Sequence, residues 1–282
     1  MTCRAIGSRA RSDFCVMNRP KVIVLAASSD IGAHLTEHFL RGGAEVVGTY
    51  RNLSPGVEKL AKSGARLFPL DVTSGEQVKS FAEKLKDRAF SWNILISAPG
   101  LLAPIGRFFS LDFDEWEKTV IVNSTAQLRV LHAVYGHRDP LSVSKVVFFA
   151  GGGTNSPFDS YSAYCIGKTV LLKMTELLDS EYPELQASII GTGWVNTKIH
   201  RQTLSAGDAA GKNLNRTMEF LEKEGAGSSL EDVAECVEWC LSSPRSAVGG
   251  RNFSLVHDPW RSADLIRDLE ADRDRYKLRR KT

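Results

Sequence analysis

The sequence predicts a single-domain α/β protein built on a doubly wound parallel sheet. Three features carry that prediction. Short apolar runs alternate with amphipathic helical stretches along the whole chain. The first apolar run passes through a turn of small residues straight into a helix. A length of 282 residues suits one large open α/β unit. Lys21–Ala27 reads as a buried strand, and Ile31–Arg41 as a helix with Ile31, Leu35 and Phe39 at i, i+4 spacing. Glu45–Tyr50 is a second strand, Gly56–Lys62 a helix, Arg66–Leu70 a strand and Gly75–Asp87 a helix. Asn93–Ser97 and Lys145–Ala150 are strands separated by a long helix over Phe113–Tyr135. A helix over Tyr161–Ser180 precedes a strand at Gln186–Ile190; Glu231–Leu241 is helical and Asn252–Val256 is the last strand. Strict alternation with right-handed crossovers covers both faces of a parallel sheet with helices. Ligands of such a sheet bind beyond the carboxyl ends of its strands, so function is sought in the loops that follow them.

Composition excludes several classes. The chain is 43% hydrophobic and 24% charged, ordinary for a globular protein. Its 36 basic and 33 acidic residues leave a net charge of +3, too even to argue for nucleic acid or a membrane surface as partner. Five cysteines, Cys3, Cys15, Cys165, Cys236 and Cys240, include no Cys-x-x-Cys pair, so reduced thiols in a cytoplasmic protein are expected rather than disulfides or zinc. Runs such as Val22–Ala27 and Val146–Ala150 are too short to cross a bilayer. Residues 1–19 carry Arg4, Arg9, Arg11 and Arg19 against Asp13 and read as a basic tail, or as sequence upstream of a true start at Met17.

The first strand runs into Ala26-Ala27-Ser28-Ser29-Asp30-Ile31-Gly32 as a helix begins. A strand, a tight turn and a helix N-terminus present free N–H groups and a positive dipole end to a phosphate. The stretch VLAASSDIG resembles the TGxxxGxG motif of the short-chain dehydrogenase/reductase family, with Gly32 at the last glycine, Asp30 at the middle one and Leu25-Ala26 in place of Thr-Gly. That resemblance implies a Rossmann fold and a nicotinamide dinucleotide, with Ala27, Ser28, Ser29, Asp30 and Ile31 along the phosphate turn. After the second strand no acid stands ready for a ribose 2′-hydroxyl, whereas Arg51 can pair with a 2′-phosphate, so NADP(H) is expected over NAD(H), with NAD still possible. Asp71 and Val72 occupy the place where the family meets the adenine. Ser97-Ala98-Pro99-Gly100 stands for its Asn-Asn-Ala-Gly, with Ser97, Ala98 and Gly100 beside the adenine ribose.

Tyr164 and Lys168 form a Tyr-x-x-x-Lys on one face of a helix, where a nearby ammonium is expected to lower the tyrosine pKa towards working pH. The tyrosine could then exchange a proton with a carbonyl or an alcohol. In the resembling family the lysine also holds the nicotinamide ribose, and Asn123, in VIVNSTAQ, supports a proton-relay water. Thr192-Gly193-Trp194-Val195-Asn196-Thr197 resembles the Pro-Gly motif after the sixth strand, and implies that Val195 and Thr197 meet the carboxamide and phosphates. The matches run in order from residue 21 to about 258. One departure stands out. The family's serine, about thirteen residues before the tyrosine, falls on Ala150-Gly151-Gly152-Gly153, leaving Thr154 and Ser156 as substitutes. Its task of stabilising the developing oxyanion is worth several kcal/mol in general.

His34-Leu35-Thr36-Glu37-His38 fits a zinc-hydrolase pattern, but on the first helix of a dinucleotide fold it reads as polar solvent-facing residues, and no metal is expected. Cys236 and Cys240 read as buried helix positions. Residues 198–227 lack periodicity and read as a substrate lid, with His200 and Arg201 at its start; residues 261–282 read as a charged solvated or subunit-docking helix, with Leu265 and Leu269 at helical spacing. The expected activity is hydride transfer between NADP(H) and a small-molecule carbonyl or secondary alcohol, in a homodimer or homotetramer formed, as the family commonly does, through its fourth and fifth helices. The alternative is a cofactor-binding regulator or scaffold with impaired catalysis, motivated by the missing serine and the altered glycine motif.

Overall fold

The computed structural model describes residues 19–280, so the basic segment before them, with Cys3, Cys15 and Met17, lies outside the described residues. Seven parallel strands form one sheet: β1 (Lys21–Leu25), β2 (Glu45–Tyr50), β3 (Arg66–Pro69), β4 (Ile94–Ser97), β5 (Ser144–Phe149), β6 (Leu185–Gly191) and β7 (Arg251–Ser254). Their spatial order is β3-β2-β1-β4-β5-β6-β7. The order reverses between β1 and β4, where Leu25 pairs with Ser97, so the crevice opens beyond those two residues.

Eleven helices of the described chain flank the sheet: α1 (Asp30–Arg41), α2 (Pro55–Lys62), α3 (Gly75–Asp87), α4 (Phe113–Asn123), α5 (Thr125–Val134), α6 (Ser162–Glu181), α7 (His200–Ala206), α8 (Lys212–Glu222), α9 (Leu230–Ser242), α10 (Arg245–Val248) and α11 (Ala263–Ala271). Because successive side chains on a strand point to opposite faces, β1 feeds two cores. Val22 and Val24 pack with Leu35 and Phe39 of α1 and with Val233 and Val237 of α9. Ile23 and Leu25 pack with Phe81 and Leu85 of α3, Val130 of α5 and Leu171 of α6.

Most predicted elements stand within a residue or two of their expected bounds, and the differences have physical causes. β1 stops at Leu25 because Ala26 turns to φ 55, and its N–H bonds sideways to Thr49 Oγ1 at 3.1 Å. The long helix over Phe113–Tyr135 is two helices. Ser124 leaves helical geometry (φ −141, ψ −96), and its hydroxyl bonds back to the carbonyl of Val120 at 2.5 Å. The segment 198–227 is not an aperiodic loop: it folds into α7 and α8, separated by Gly207 and Gly211 at φ 55 and 56. Helices so short, punctuated by left-handed glycines, leave little periodic signal.

Two surface expectations are corrected. His34 and His38 do not face solvent but turn towards α9: His34 Nε2 lies 3.2 Å from Glu231, and His38 Nε2 2.8 Å from Glu238. Glu37 points elsewhere and pairs with Lys59 at 2.8 Å. The C-terminal helix α11 docks on its own core: Leu265 and Leu269 are buried among the β7 and α9 side chains. The Arg251 guanidinium caps it by donating to the Leu269 carbonyl at 2.7 Å, and Arg279 beyond it pairs with Glu176 of α6. Cys236 and Cys240 are buried, as expected.

Replacing Leu269 with Ala should lower unfolding free energy by about 2–4 kcal/mol, the cost of a buried leucine deletion. Chemical denaturation measures it; a loss below about 0.5 kcal/mol, the range for exposed positions, would restore the solvated helix.

Candidate active site

The turn after β1 is a closed cradle. Ser29 caps α1 by accepting from the Gly32 N–H at 3.0 Å. A methyl group on Gly32 would collide with the Ala26 carbonyl and the Ser29 hydroxyl, so only glycine fits. Thr49 of β2 holds the turn from behind: its hydroxyl and carbonyl accept from Ala26 and Ala27 at 3.1 and 2.7 Å. The N–H groups of Gly32 and Ala33 are bonded to Ser29, which leaves those of Asp30 and Ile31 at the start of α1 for an anion, the arrangement that binds a pyrophosphate. Asp30 brings a carboxylate to this turn. Lys198 answers it: the Lys198 N–H donates to Asp30 at 2.6 Å, and its ammonium reaches the Ser28 carbonyl at 2.5 Å and stands 3.8 Å from Asp30.

Arg51 is exposed just past β2, two residues beyond the Thr49 anchor. Asp71 accepts from the Thr73 hydroxyl and N–H at 2.7 and 2.9 Å. The hydroxyl bond is the main reason its carboxyl is held below the usual range, and the Arg51 charge adds to it. Val72 is half-buried beside it. After β4 the Ser97 hydroxyl turns inward to Gln127 at 2.7 Å, leaving Ala98 partly exposed and Gly100 exposed on the crevice side.

Tyr164 and Lys168 lie on one face of α6, and Asn123 is brought to them by Gly167. A methyl group there would strike Asn123 Cβ, so the glycine lets α4 and α6 close together. Lys168 is buried, and its ammonium donates to the Pro99 carbonyl at 3.2 Å while standing 5.8 Å from the centre of the Tyr164 ring. Burial pulls its pKa down to about 8. The expected lowering of the tyrosine pKa is not present in the free protein. Burial, aided by Cys165, pushes the Tyr164 hydroxyl above the ordinary tyrosine value. The Asn123 side chain is spent on backbone: its oxygen accepts from Leu101 at 3.1 Å, and its amide donates to Leu101 and Thr119 at 2.7 and 3.0 Å. Of the two expected substitutes for the serine, Thr154 is engaged, donating to the Gly151 carbonyl at 3.3 Å, and Ser156 is exposed.

The third wall comes from the segment after β6. Val195 is buried and Thr197 half-buried. His200, expected at the substrate, turns back to the Val195 carbonyl at 2.9 Å and stacks on Trp194; burial lowers its pKa. Arg201 is exposed. The helices α7 and α8 are fastened across the crevice. Gln202 accepts from Leu102 and Ala103, both at 2.9 Å, Thr203 meets the Tyr161 hydroxyl at 2.8 Å, and Asn213 donates to the Asp159 carbonyl at 3.1 Å. Leu102, Ile105, Tyr161 and Ala210 form one apolar cluster, and Tyr164 packs against it with Phe158, Ile199 and Leu214.

The supporting residues Thr49, Gln127, Gly167, Lys198 and Gln202 were not singled out by sequence reasoning. Only Gly167 carried a local signal, as a glycine inside a helical pattern. Among the described residues no group of three or more His, Cys, Asp or Glu is placed to hold a metal ion. No helix among them is long and apolar enough to cross a membrane.

Residues 25–255 match the family described as enoyl-(acyl carrier protein) reductase. The NAD-dependent glycerol dehydrogenase of Listeria innocua is 23% identical, over 86% of this chain and 94% of its own. Among solved structures, a short-chain dehydrogenase/reductase of Saccharomyces cerevisiae superposes with TM-score 0.77 at 19% identity, covering 87% of this chain and 99% of that one. A Shigella flexneri short-chain dehydrogenase complexed with NADP gives 0.69 at 18% identity, covering 84% and 96%.

Lys168 sets a pH signature. Its pKa falls from 10.5 to about 8 on folding, so the folded state binds fewer protons between those values. The burial penalty is complete below about pH 8, and stability rises as pH climbs from there to 10.5. Lys168→Met should therefore raise stability at pH 7 by about 1–2 kcal/mol, the desolvation relieved less the lost hydrogen bond, and should flatten that rise. Denaturation at several pH values reads it; a destabilised variant with an unchanged slope would contradict the burial argument.

Proposed function

Since the chain belongs to the short-chain dehydrogenase/reductase family and is one of its oxidoreductases, we propose that it interconverts a small-molecule carbonyl and a secondary alcohol, with Tyr164 as acid/base. The observation that carries this reading is the convergence of Tyr164, Lys168 and Asn123 on one junction, with the β1–α1 cradle across the same crevice. The family binds NAD(P), and the cradle that a Cβ at Gly32 would fill fits such a dinucleotide. The N–H groups of Asp30 and Ile31 would hold the pyrophosphate with Thr197, Asp71 and Val72 would flank the adenine, Ala98 and Gly100 the adenine ribose, and Val195 the carboxamide. Bound nicotinamide supplies or takes the hydride. Tyr164, kept protonated by burial, is suited to give its proton to a substrate oxygen, the reducing direction. Lys168, with a pKa near 8, can return a proton to the site and would hold the nicotinamide ribose.

NADP(H) is the preferred cofactor in this reading. Arg51 is an exposed guanidinium at the end of β2 with no acid beside it in the segment Gly48–Asn52, which favours a 2′-phosphate over a free ribose hydroxyl. One relative is named for NAD, and one structural neighbour holds NADP, so the preference rests on Arg51. A homodimer or homotetramer is proposed as well. Phe113 on α4 and Ile166, Val170 and Leu177 on α6 are exposed apolar side chains, and the last three share a helical face. The second reading, a cofactor-binding scaffold, is favoured by one observation: Gly151 offers no side-chain donor.

Tyr164→Phe should abolish turnover across a carbonyl and alcohol panel, by about 10³-fold or more, while leaving cofactor binding intact. Unchanged turnover would overturn the acid/base assignment, and absence of any Tyr164-dependent turnover would favour the scaffold. Melting temperature should rise more with NADPH than with NADH, and Arg51→Ala should equalise the two; a larger rise with NADH would reverse the cofactor preference.

A further inference from the structure

A methyl group on Gly151 would overlap the Tyr164 hydroxyl and the ring carbons next to it. The phenol end of Tyr164 therefore rests on bare backbone just past β5, in the volume a side chain at 151 would fill. The neighbouring glycines are used in the same way. At Gly152 a methyl would touch the Phe158 ring at 3.5 Å, and at Gly153, which sits at φ 89, it would overlap the Cys165 sulfur. Three successive glycines let the first turns of α6 and the Phe158 ring close onto the strand end. The surrounding hydroxyls are committed: Thr154 to the Gly151 carbonyl, Tyr161 to Thr203 and Ser97 to Gln127.

We propose that Gly151 is a positioning residue that seats the Tyr164 hydroxyl at the end of β5, so that the substrate carbonyl meets a single side-chain donor, and that the substrate is accordingly a carbonyl activated by its own electron-withdrawing neighbours. This rests on the reading of Tyr164 as the acid. A serine at 151 is then not a part to be restored, since it would push the tyrosine from its seat. In the reduction, the carbonyl carbon takes a hydride from NAD(P)H, the π bond opens onto oxygen, and that oxygen takes the Tyr164 proton, leaving an alcohol and NAD(P)+. One oxyanion donor fewer costs about 10²–10³ in rate. A substituent that draws charge from the oxygen reduces what the second donor would have to stabilise. The apolar cluster against which Tyr164 packs, with Leu102, Ile105, Phe158 and Ile199 in it, fits an uncharged substrate of this class.

The test has two arms. The first needs no turnover. Gly151→Ala and Gly151→Ser are made in the full chain with Tyr164 present and with Tyr164→Ala, or Tyr164→Leu should that variant not fold. Each 151 variant should lower the melting temperature by about 4 °C or more with the tyrosine and by about 1 °C or less without it, the non-additivity expected of residues in contact. Equal costs in both backgrounds would overturn the seating. The ultraviolet titration of Tyr164, read as the difference from Tyr164→Phe, should shift downwards in Gly151→Ser as the ring leaves its seat on the backbone at 151; an unmoved titration counts against it. In the second arm, NADPH-dependent reduction is followed with 2,2,2-trifluoroacetophenone and with acetophenone. The trifluoro ketone should be favoured by about 10²-fold or more in kcat, and Gly151→Ser should lower kcat about tenfold with little change in KM. A rise in kcat on introducing the serine would overturn the seating, and equal turnover of the two ketones would overturn the substrate class. No turnover of either, with the stability cycle as expected, would refute the oxidoreductase reading and the substrate class while upholding the seat.

Discussion

The loop that follows β4 is the constraint on which the site depends. Residues 99–103 leave the sheet at the switch point, where their polar backbone groups have no strand to pair with, and buried backbone must be satisfied somewhere. Here it is satisfied by side chains from four helices: Lys168 of α6 and Gln127 of α5 on the Pro99 carbonyl, Asn123 of α4 on both groups of Leu101, and Gln202 of α7 on the N–H groups of Leu102 and Ala103. One irregular strip of chain thereby ties the Tyr164 helix, the Asn123 helix and the covering helices into one arrangement. Any of these helices that shifted would leave a buried amide or carbonyl unpaired, a cost of about 1–3 kcal/mol per group.

That arrangement stores an electrostatic cost where chemistry is proposed. Lys168 is an ammonium in a dry site with a single neutral acceptor, and its pKa falls towards neutrality in consequence. Tyr164 is shifted in the opposite direction by the same burial, because desolvation penalises whichever form carries charge. Two groups with nearly equal ordinary values, 10.0 and 10.5, are thus driven apart, the phenol upwards and the ammonium down to about 8. A polar ligand entering the crevice would change both at once. Buried, imperfectly satisfied ionisable groups of this kind mark functional sites more often than structural ones.

The strands and most of the longer helices were legible in the sequence, because a sheet buried on both faces writes itself as continuous apolar runs such as KVIVL and NILIS, and its crossovers write a helical period. The phosphate turn and the Tyr164–Lys168 pair were legible for the same reason: each is local, within one loop or one turn of helix. What escaped was non-local or weakly periodic. Gln127 and Gln202 meet the loop after β4 from about 25 and 100 residues away, and Lys198 meets Asp30 across 168 positions. No spacing rule links such residues. The α7–α8 segment escaped because its turns are broken by glycines; α11 was read as a helix with Leu265 and Leu269 at helical spacing, and only its docking on the chain's own core escaped, because its other positions are charged. The break at Ser124 lies in the middle of a convincing helical pattern and depends on a side-chain hydroxyl turning back on its own helix.

The departures from the family pattern are matched by neighbours rather than left as defects. Ala26 takes a left-handed conformation that glycine would adopt freely, at a cost of about 1 kcal/mol, and Thr49 braces it with two hydrogen bonds to the turn. Asp30 puts a negative charge where a phosphate is expected, and Lys198 meets it with both its N–H and its ammonium. Gly151 removes a hydroxyl, and the Tyr164 phenol fills the volume. If the site had simply decayed, there would be no reason for each change to be paired with a fitting partner drawn from a different element of the fold: β2 for the first, the segment after β6 for the second, α6 for the third. A changed residue with a shaped response belongs to a site that has been altered rather than abandoned. In this chain the segment of α7 and α8 is held by the buried bond of Thr203 to Tyr161, the bond of Asn213 and the ion pair of Lys212 to Asp159, and the apolar contacts of Ala206, Ala210 and Leu214, so it too is fitted to the site rather than left loose.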